Sequence, residues 1–171
     1  MSIPKIIHYC WFGGKEKPEN LINYMKSWQK LEGYEIIEWN EKNFDINSCK
    51  FVREAYAKKK WAFVSDYVRL KVLKEYGGIY LDTDVEIIKK FDDLLENKMF
   101  IGFIYDCSIG TAVIGCQKNN KVVTEILNLY GKAEFIYREN KIKLLFNEYE
   151  NFVVNNNNDL FTAYFIRNYK K

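Results

Sequence analysis

The stretch from Trp61 to Asp84, WAFVSDYVRLKVLKEYGGIYLDTD, constrains the fold more than any other part of the chain. Trp61 to Tyr76 contains neither proline nor glycine, and Gly77-Gly78 then supply the residues best able to end a helix. A helix of about four turns is expected there, followed by a strand from Ile79 to Ile88 that carries Asp82 and Asp84. Upstream, Ile3 to Phe12 and Tyr34 to Trp39 read as two more strands. Between them Leu21, Tyr24, Met25, Trp28 and Leu31 recur at steps of three and four, as one face of a helix requires. Strand, helix, strand in that order argues for a parallel α/β sheet. Downstream, Met99 to Tyr105 reads as a strand and Lys121 to Tyr130 as a helix. Ile142 to Val154 is expected as an amphipathic helix, Asn155 to Asn158 as a turn and Leu160 to Tyr169 as a terminal helix.

A chain of 171 residues has room for one domain of about 150 and no second, so residues 1–171 are read as a single domain. At 48% hydrophobic and 29% charged, with two prolines, it is a core-forming chain and not a disordered one. The net charge of +3 is too small to name nucleic acid or membrane as partner. Cys10, Cys49, Cys107 and Cys116 form no C-x-x-C pair and His8 stands alone, which removes the common zinc and redox motifs. The N-terminus lacks the basic region and small-residue cleavage site of a signal peptide. No run reaches the ~18 apolar residues of a membrane span. The expectation is a cytoplasmic protein with reduced thiols.

Two sets of polar residues sit where apolar ones belong. At 100° per residue from Asp66, Lys71, Lys74 and Glu75 cluster between about 80° and 180° and mark a solvent face. Asp66 and Arg69 fall on the other side, at about 0° and 300°, in one stripe with Ala62, Leu73 and Tyr76. An exposed i, i+3 ion pair would explain them at ~0.2–0.5 kcal/mol. Buried, the pair carries a desolvation cost its own attraction often fails to repay, and a ligand or metal at that face is the better account. Asp82 and Asp84, alternate residues of the expected strand, share a face roughly 7 Å or less apart. They read either as a solvated strand end or N-cap, or as ligands of a hard divalent cation. The flanking apolar run favours the second, at the carboxyl end of a central strand, and Gly77-Gly78 would let a ligand approach the backbone closely.

Other features point less sharply. Trp11, beside Phe12 and Gly13-Gly14, either stacks a base or packs the core. His8 lies in an apolar strand and reads as a satisfied core histidine. Lys58-Lys59-Lys60 and the tail Arg167, Lys170, Lys171 read as solvated, with anionic lipid or phosphate contact as the alternative. Gly110, Thr111 and Gly115 could form a substrate loop, but they lack the Lys-Ser/Thr of a phosphate cradle.

The segments IPKIIHYCWFGG, P-E-N, S-W, YEIIEWNE and AFVSDYVRLKVLKEYGGIYLDTDVEI, in this order over about residues 1–117, resemble glycosyltransferase family 32. These are DXD-motif sugar transferases of capsular polysaccharide synthesis, more distantly like the large clostridial glucosylating toxins. The resemblance implies a GT-A-like nucleotide-sugar-binding α/β fold, its central sheet mainly parallel and flanked by helices. It implies a UDP- or GDP-hexose donor, a glycan or lipid-linked sugar acceptor, manganese or magnesium on the DxD, and transfer with retention. It also implies a bacterial cytoplasmic enzyme, without nucleic acid, in possible peripheral contact with the inner membrane surface.

Carried over by position, Asp84 would bind the metal directly, and Asp82 would contact the donor's ribose and sugar or reach the metal through water. Asp66 and Arg69 would hold the donor sugar's hydroxyls. Trp11, with Phe12 beside it, would stack on the base, and Gly78 and Tyr80 would border the DxD. Asp82, Asp84 and Arg69 are the catalytic set by this resemblance, with front-face attack by the acceptor hydroxyl. Relatives run on past this point, and no H-x-W or S-W segment follows residue 130, so the chain is expected to be short at its C-terminus.

Two other classes stay in view. A nucleotide-sugar-binding protein without turnover would share the site. A phosphatase of the haloacid dehalogenase type would use Asp82 as nucleophile, but Glu86 stands where that class has Thr or Val.

Overall fold

The computed structural model of the chain describes residues 2–139, 141–146 and 149–169. Strand β1 (Ile6–Cys10) opens the fold, and α1 (Glu19–Lys26) follows, its last turn tightening into a 3₁₀ segment at Ser27–Lys30. Strand β2 (Glu35–Trp39) lies parallel to β1. Helices α2 (Lys50–Ala57) and α3 (Trp61–Tyr76) lead into β3 (Gly78–Leu81), parallel to β1 on its other side. β4 (Met99–Ile104) and β5 (Ser108–Cys116) form a hairpin, followed by α4 (Lys121–Tyr130). The sheet order is β2-β1-β3-β5-β4. β5 runs antiparallel to β3 and to β4, so β1, β2, β3 and β4 point one way and β5 the other. This is the mainly parallel α/β sheet expected from the sequence. A second sheet of β6 (Ala133–Ile136), β7 (Lys141–Phe146) and β8 (Tyr149–Val154) precedes α5 (Asn157–Asn168).

Strand alternation divides the core in two. Ile79 and Leu81 pack with Ile7, Trp28 and Leu95 on one side of the sheet. Tyr80 points to the other, where Val64 and Val68 of α3, Ile126 of α4 and Phe161 of α5 bury their side chains. Each such side chain stabilises the fold by ~1.5–3 kcal/mol on burial. His8 belongs to this core: its Nε2 lies 2.9 Å from the Gly77 carbonyl, and Trp39 Nε1 donates to its Nδ1 at 3.1 Å. With both ring nitrogens engaged, burial pushes its pKa down to about 4 and keeps the ring neutral.

Four sequence expectations change. The strand expected over Ile79–Ile88 ends at Leu81. Beyond it the backbone bonds leave the ladder: Val85 N donates to Asp82 O, Trp28 Nε1 donates to Val85 O, and Ile87 N donates to Ser27 Oγ. Val85 and Ile87 thus reach the core from an irregular segment. The helix expected over Ile142–Val154 is the β7–β8 pair, with Ile142 opposite Val154. β-branched and aromatic residues at its strand positions, and pairing with β6 through Phe135 opposite Ile142, override the helical period. Gly110, Thr111 and Gly115 lie within β5 and not in a loop. Tyr76, placed in the buried stripe, is 45% exposed because it is the last residue of α3, where the helix leaves the sheet. Lys170 and Lys171 lie outside the described residues.

Gly77-Gly78 let the chain, and not a ligand, come close. A Cβ on Gly78 would stand 2.6 Å from Ile6 O and 3.1 Å from His8 Nε2, at φ +98°. Gly14 has a positive φ too, but open space around it. Gly78→Ala should therefore cost about 3 kcal/mol, from strain plus overpacking, against about 1 for Gly14→Ala. Urea denaturation of both variants checks this, and equal losses would contradict it.

Candidate active site

A cleft of about 530 Å³ opens beyond the end of β3, between the β4–β5 hairpin and the start of α5. It lies at the carboxyl ends of the parallel strands, where open α/β sheets take ligands. Asp66 and Arg69 of α3, Asp82 and Asp84 of the turn after β3, Thr111 of β5 and Asn157 and Asn158 of α5 all line it. The four charged residues singled out by helix face and strand spacing are thus brought together.

Arg69 is their centre, 5% exposed. Its Nη2 lies 3.0 Å from Asp66 Oδ1 and 3.2 Å from Asp82 Oδ1. Nη1 donates to Thr111 O at 2.7 Å and to Thr111 Oγ1 at 3.4 Å, and Nε donates to Ser65 O at 3.3 Å. Five protein oxygens thus lie around the guanidinium, one each from Asp66, Asp82 and Ser65 and two from Thr111. Arg69 thereby pairs with both Asp66 and Asp82. Its carbon also stands 4.5 Å from the centre of the Tyr80 ring, a cation–π contact. Burial opposes the cation, but the Tyr80 oxygen and the charges of Asp82 and Asp66 outweigh it and hold its pKa above the ordinary range.

The carboxylates differ. Burial pushes Asp66 up to about 6 despite the nearby cation, with the charge of Asp82 adding to the rise. Asp82 is half-buried and takes a second bond on Oδ1 from the Tyr80 hydroxyl at 2.9 Å. Burial keeps that hydroxyl protonated, well above its usual pKa. Asp84 is exposed and makes no hydrogen bond or ion pair with the described residues. No group of three or more His, Cys, Asp or Glu side chains could hold a metal among the described residues. The chain offers Asp84 and Asp82 as two hard oxygen donors, which fits manganese or magnesium drawing its other oxygens from a bound diphosphate and water.

The remaining expected residues lie elsewhere. Trp11 is half-buried at the end of β1, its Nε1 donating to Lys15 O at 2.6 Å and its ring beneath Lys17 Nζ at 5.5 Å. It does not line this cleft. Phe12 is buried against Phe44 in the core, so a ligand could meet only its backbone. Gly78 is buried under Ile6 and His8. Sequence reasoning missed Asn157 and Asn158, taken only as part of a turn. Asn157, 1% exposed, accepts from Tyr130 Oη at 3.0 Å and donates to Asp66 O at 3.2 Å. Asn158 Oδ1 accepts from Thr111 N at 2.9 Å and from Thr111 Oγ1 at 2.6 Å. An Asn-rich run before a helix signals a cap; nothing in it announces contacts with α3 and β5.

Residues 18–101 match the profile of a family described as "Glycosyltransferase sugar-binding region containing DXD motif". The matched region, just under half of the chain, contains Asp66, Arg69, Asp82 and Asp84. The chain is 28% identical over 141 residues to inositol phosphoceramide mannosyltransferase 3 of Schizosaccharomyces pombe, covering 80% of this chain and 39% of that protein. It is 34% identical over 110 residues to an uncharacterized glycosyltransferase, L373, of Acanthamoeba polyphaga mimivirus, covering 60% and 42%. The matched stretch thus spans less than half the length of each of these relatives. Among solved structures, the PaToxG glycosyltransferase superposes with a TM-score of 0.72 at 22% identity, over 98% of this chain and 70% of that one. That likeness establishes the fold.

Removing the cation should strand Asp66 in the interior. Arg69→Met should cost about 3 kcal/mol near pH 8, as breaking a buried pair does. A carboxyl whose folded pKa is raised binds its proton more tightly folded than unfolded, so it lowers stability as pH rises from its unfolded to its folded value. Without Arg69 that rise grows, so the loss in Arg69→Met should shrink as pH falls toward 5 and Asp66 takes up its proton. Thermal melts of both proteins from pH 5 to 8 check this; a loss independent of pH would contradict it.

Proposed function

We propose that this chain is a metal-dependent glycosyltransferase that moves a hexose from a UDP- or GDP-sugar to a glycan or glycolipid acceptor with retention. The observation that carries the reading is the convergence of Asp66, Arg69, Asp82 and Asp84 on one cleft at the carboxyl end of the sheet. Its support is the matched DXD sugar-binding region and the glycosyltransferase-like fold.

In this reading Asp84 and Asp82 hold a manganese or magnesium ion, which supplies Lewis-acid stabilisation of the charge on the departing diphosphate. Asp66, fixed by Arg69, accepts from the donor sugar's hydroxyls and orients the ring. Arg69 keeps Asp66 and Asp82 in place before the donor arrives, so the site needs little reorganisation when it does. Both carboxylates share the Arg69 cation, which makes either a poor covalent nucleophile. Front-face attack by the acceptor hydroxyl, with its proton passing to the leaving phosphate, is the step this favours. Trp11 and the backbone at Phe12, at the end of β1, take the base. No helix among the described residues is long and apolar enough to cross a membrane. We place the reaction in the cytoplasm, with peripheral contact at the inner membrane surface and a role in capsular or other surface polysaccharide synthesis.

The test is the melting temperature of the protein against UDP-, GDP- and CMP-sugars, each with manganese, magnesium or EDTA. One donor should raise the midpoint by about 5–10 °C at a hundredfold excess over its Kd, and only with metal. Asp84→Asn should melt like the parent without ligand, because Asp84 is exposed, and lose the metal-dependent shift. An unchanged shift in that variant would overturn the assignment.

A further inference from the structure

The side of the cleft away from the carboxylates is built differently. The β4–β5 register passes from Ile101 opposite Ile114 to Gly102 opposite Gly110, so Thr111, Ala112 and Val113 bulge from the pairing. Bulges re-aim the chain beyond them. Here the hairpin beyond the bulge brings Gly102, Phe103 and Ile104 to the cleft. Phe103 is 73% exposed, which gains the fold little. Tyr105, at the hairpin tip, is 82% exposed as well, but Phe103 is the aromatic ring that lines the cleft.

Asn158 stands at the same cleft. Its Oδ1 accepts two hydrogen bonds from Thr111, which fixes which end of the amide is oxygen. The two Nδ2 hydrogens have no partner among the described residues. The cleft therefore offers an exposed aromatic face and a free amide donor. A pyranose ring answers both, since it presents a face of C–H groups and a rim of hydroxyls.

We propose that Phe103 and Asn158 form the acceptor subsite, and that the acceptor it takes is a hexopyranose. This rests on the glycosyltransferase reading above. Phe103 lies on β4, two strand spacings or about 10 Å from β3, which leads into Asp82. A donor sugar held at Asp66 and Asp82 leaves that further part of the cleft for a second ring. Phe103 covers the apolar face of this ring and Asn158 donates to one of its hydroxyls. The attacking hydroxyl gives its proton to the leaving diphosphate as its oxygen bonds the anomeric carbon, so each transfer yields one glycoside and one nucleoside diphosphate.

The probes are methyl α-mannoside, methyl α-glucoside and methyl α-galactoside, given to the full chain with the donor that shifts its melting temperature. Phe103→Ala removes an exposed ring. Asn158→Asp keeps an oxygen for Thr111 and replaces the outward donors by an acceptor. Phe103→Ala should keep the parent's melting temperature within about 2 °C, and its donor shift and donor hydrolysis. The parent should glycosylate at least one methyl hexoside saturably, and each variant should raise the acceptor KM about tenfold or more. Equal KM values in parent and variants would overturn the subsite, as would a parent that hydrolyses donor but glycosylates none of the three. Loss of the donor shift in Phe103→Ala would place that ring on the donor and overturn it too. A parent with no metal-dependent donor shift would overturn the glycosyltransferase reading, and the subsite with it.

Discussion

The buried guanidinium of Arg69 is the interaction on which the rest of the site depends. It comes from α3, 5% exposed, and ties together α3, the turn after β3, and β5 through Asp66, Asp82 and Thr111. A lone buried cation would be costly, and two carboxylates facing one cleft would repel each other. Combined, each offsets the other's cost. The arrangement holds both carboxylates against one cation. Asp84, further along, is exposed.

Asp66 and Arg69 were legible in the sequence because a helix turns 100° per residue and they fell on the wrong side. The helix itself was legible to its ends, Trp61–Tyr76, because Gly77 and Gly78 punctuate it. Asp82 and Asp84 were read as sharing one face of a strand, but the strand ends at Leu81 and both stand beyond it. Tyr80 points toward α3, and Asp82, two residues on, joins the same group through the Tyr80 hydroxyl. The length of the strand was not legible. Val85 and Ile87 look like strand residues because they are apolar and buried or half-buried, but side chains of the α1 region satisfy their backbone.

The C-terminal third was harder to read. Its contribution is made by contacts between residues far apart in sequence, such as Asn157 with Asp66 and Asn158 with Thr111. No local period encodes such pairs. The β7–β8 pair shows the same limit, since pairing of β7 with β6 and of β8 with β7 joins with strand-favouring residues to override a helical period. Nor could the sequence show that Gly78 serves close packing and not ligand approach, because the atoms that fill its space come from β1. Segments near the DXD read well because helix, glycines and strand are contiguous there; the wall facing them is assembled from distant parts.

The central claim is that Asp84 and Asp82 offer two metal oxygens and that the donor's diphosphate completes the set. Manganese titration followed by electron paramagnetic resonance, with and without a nucleoside diphosphate, tests it most directly. Two protein carboxylates alone should hold the ion weakly, and the nucleotide that binds should tighten it about tenfold or more, since coupling is reciprocal. Manganese binding equally well with and without every nucleoside diphosphate would contradict the account.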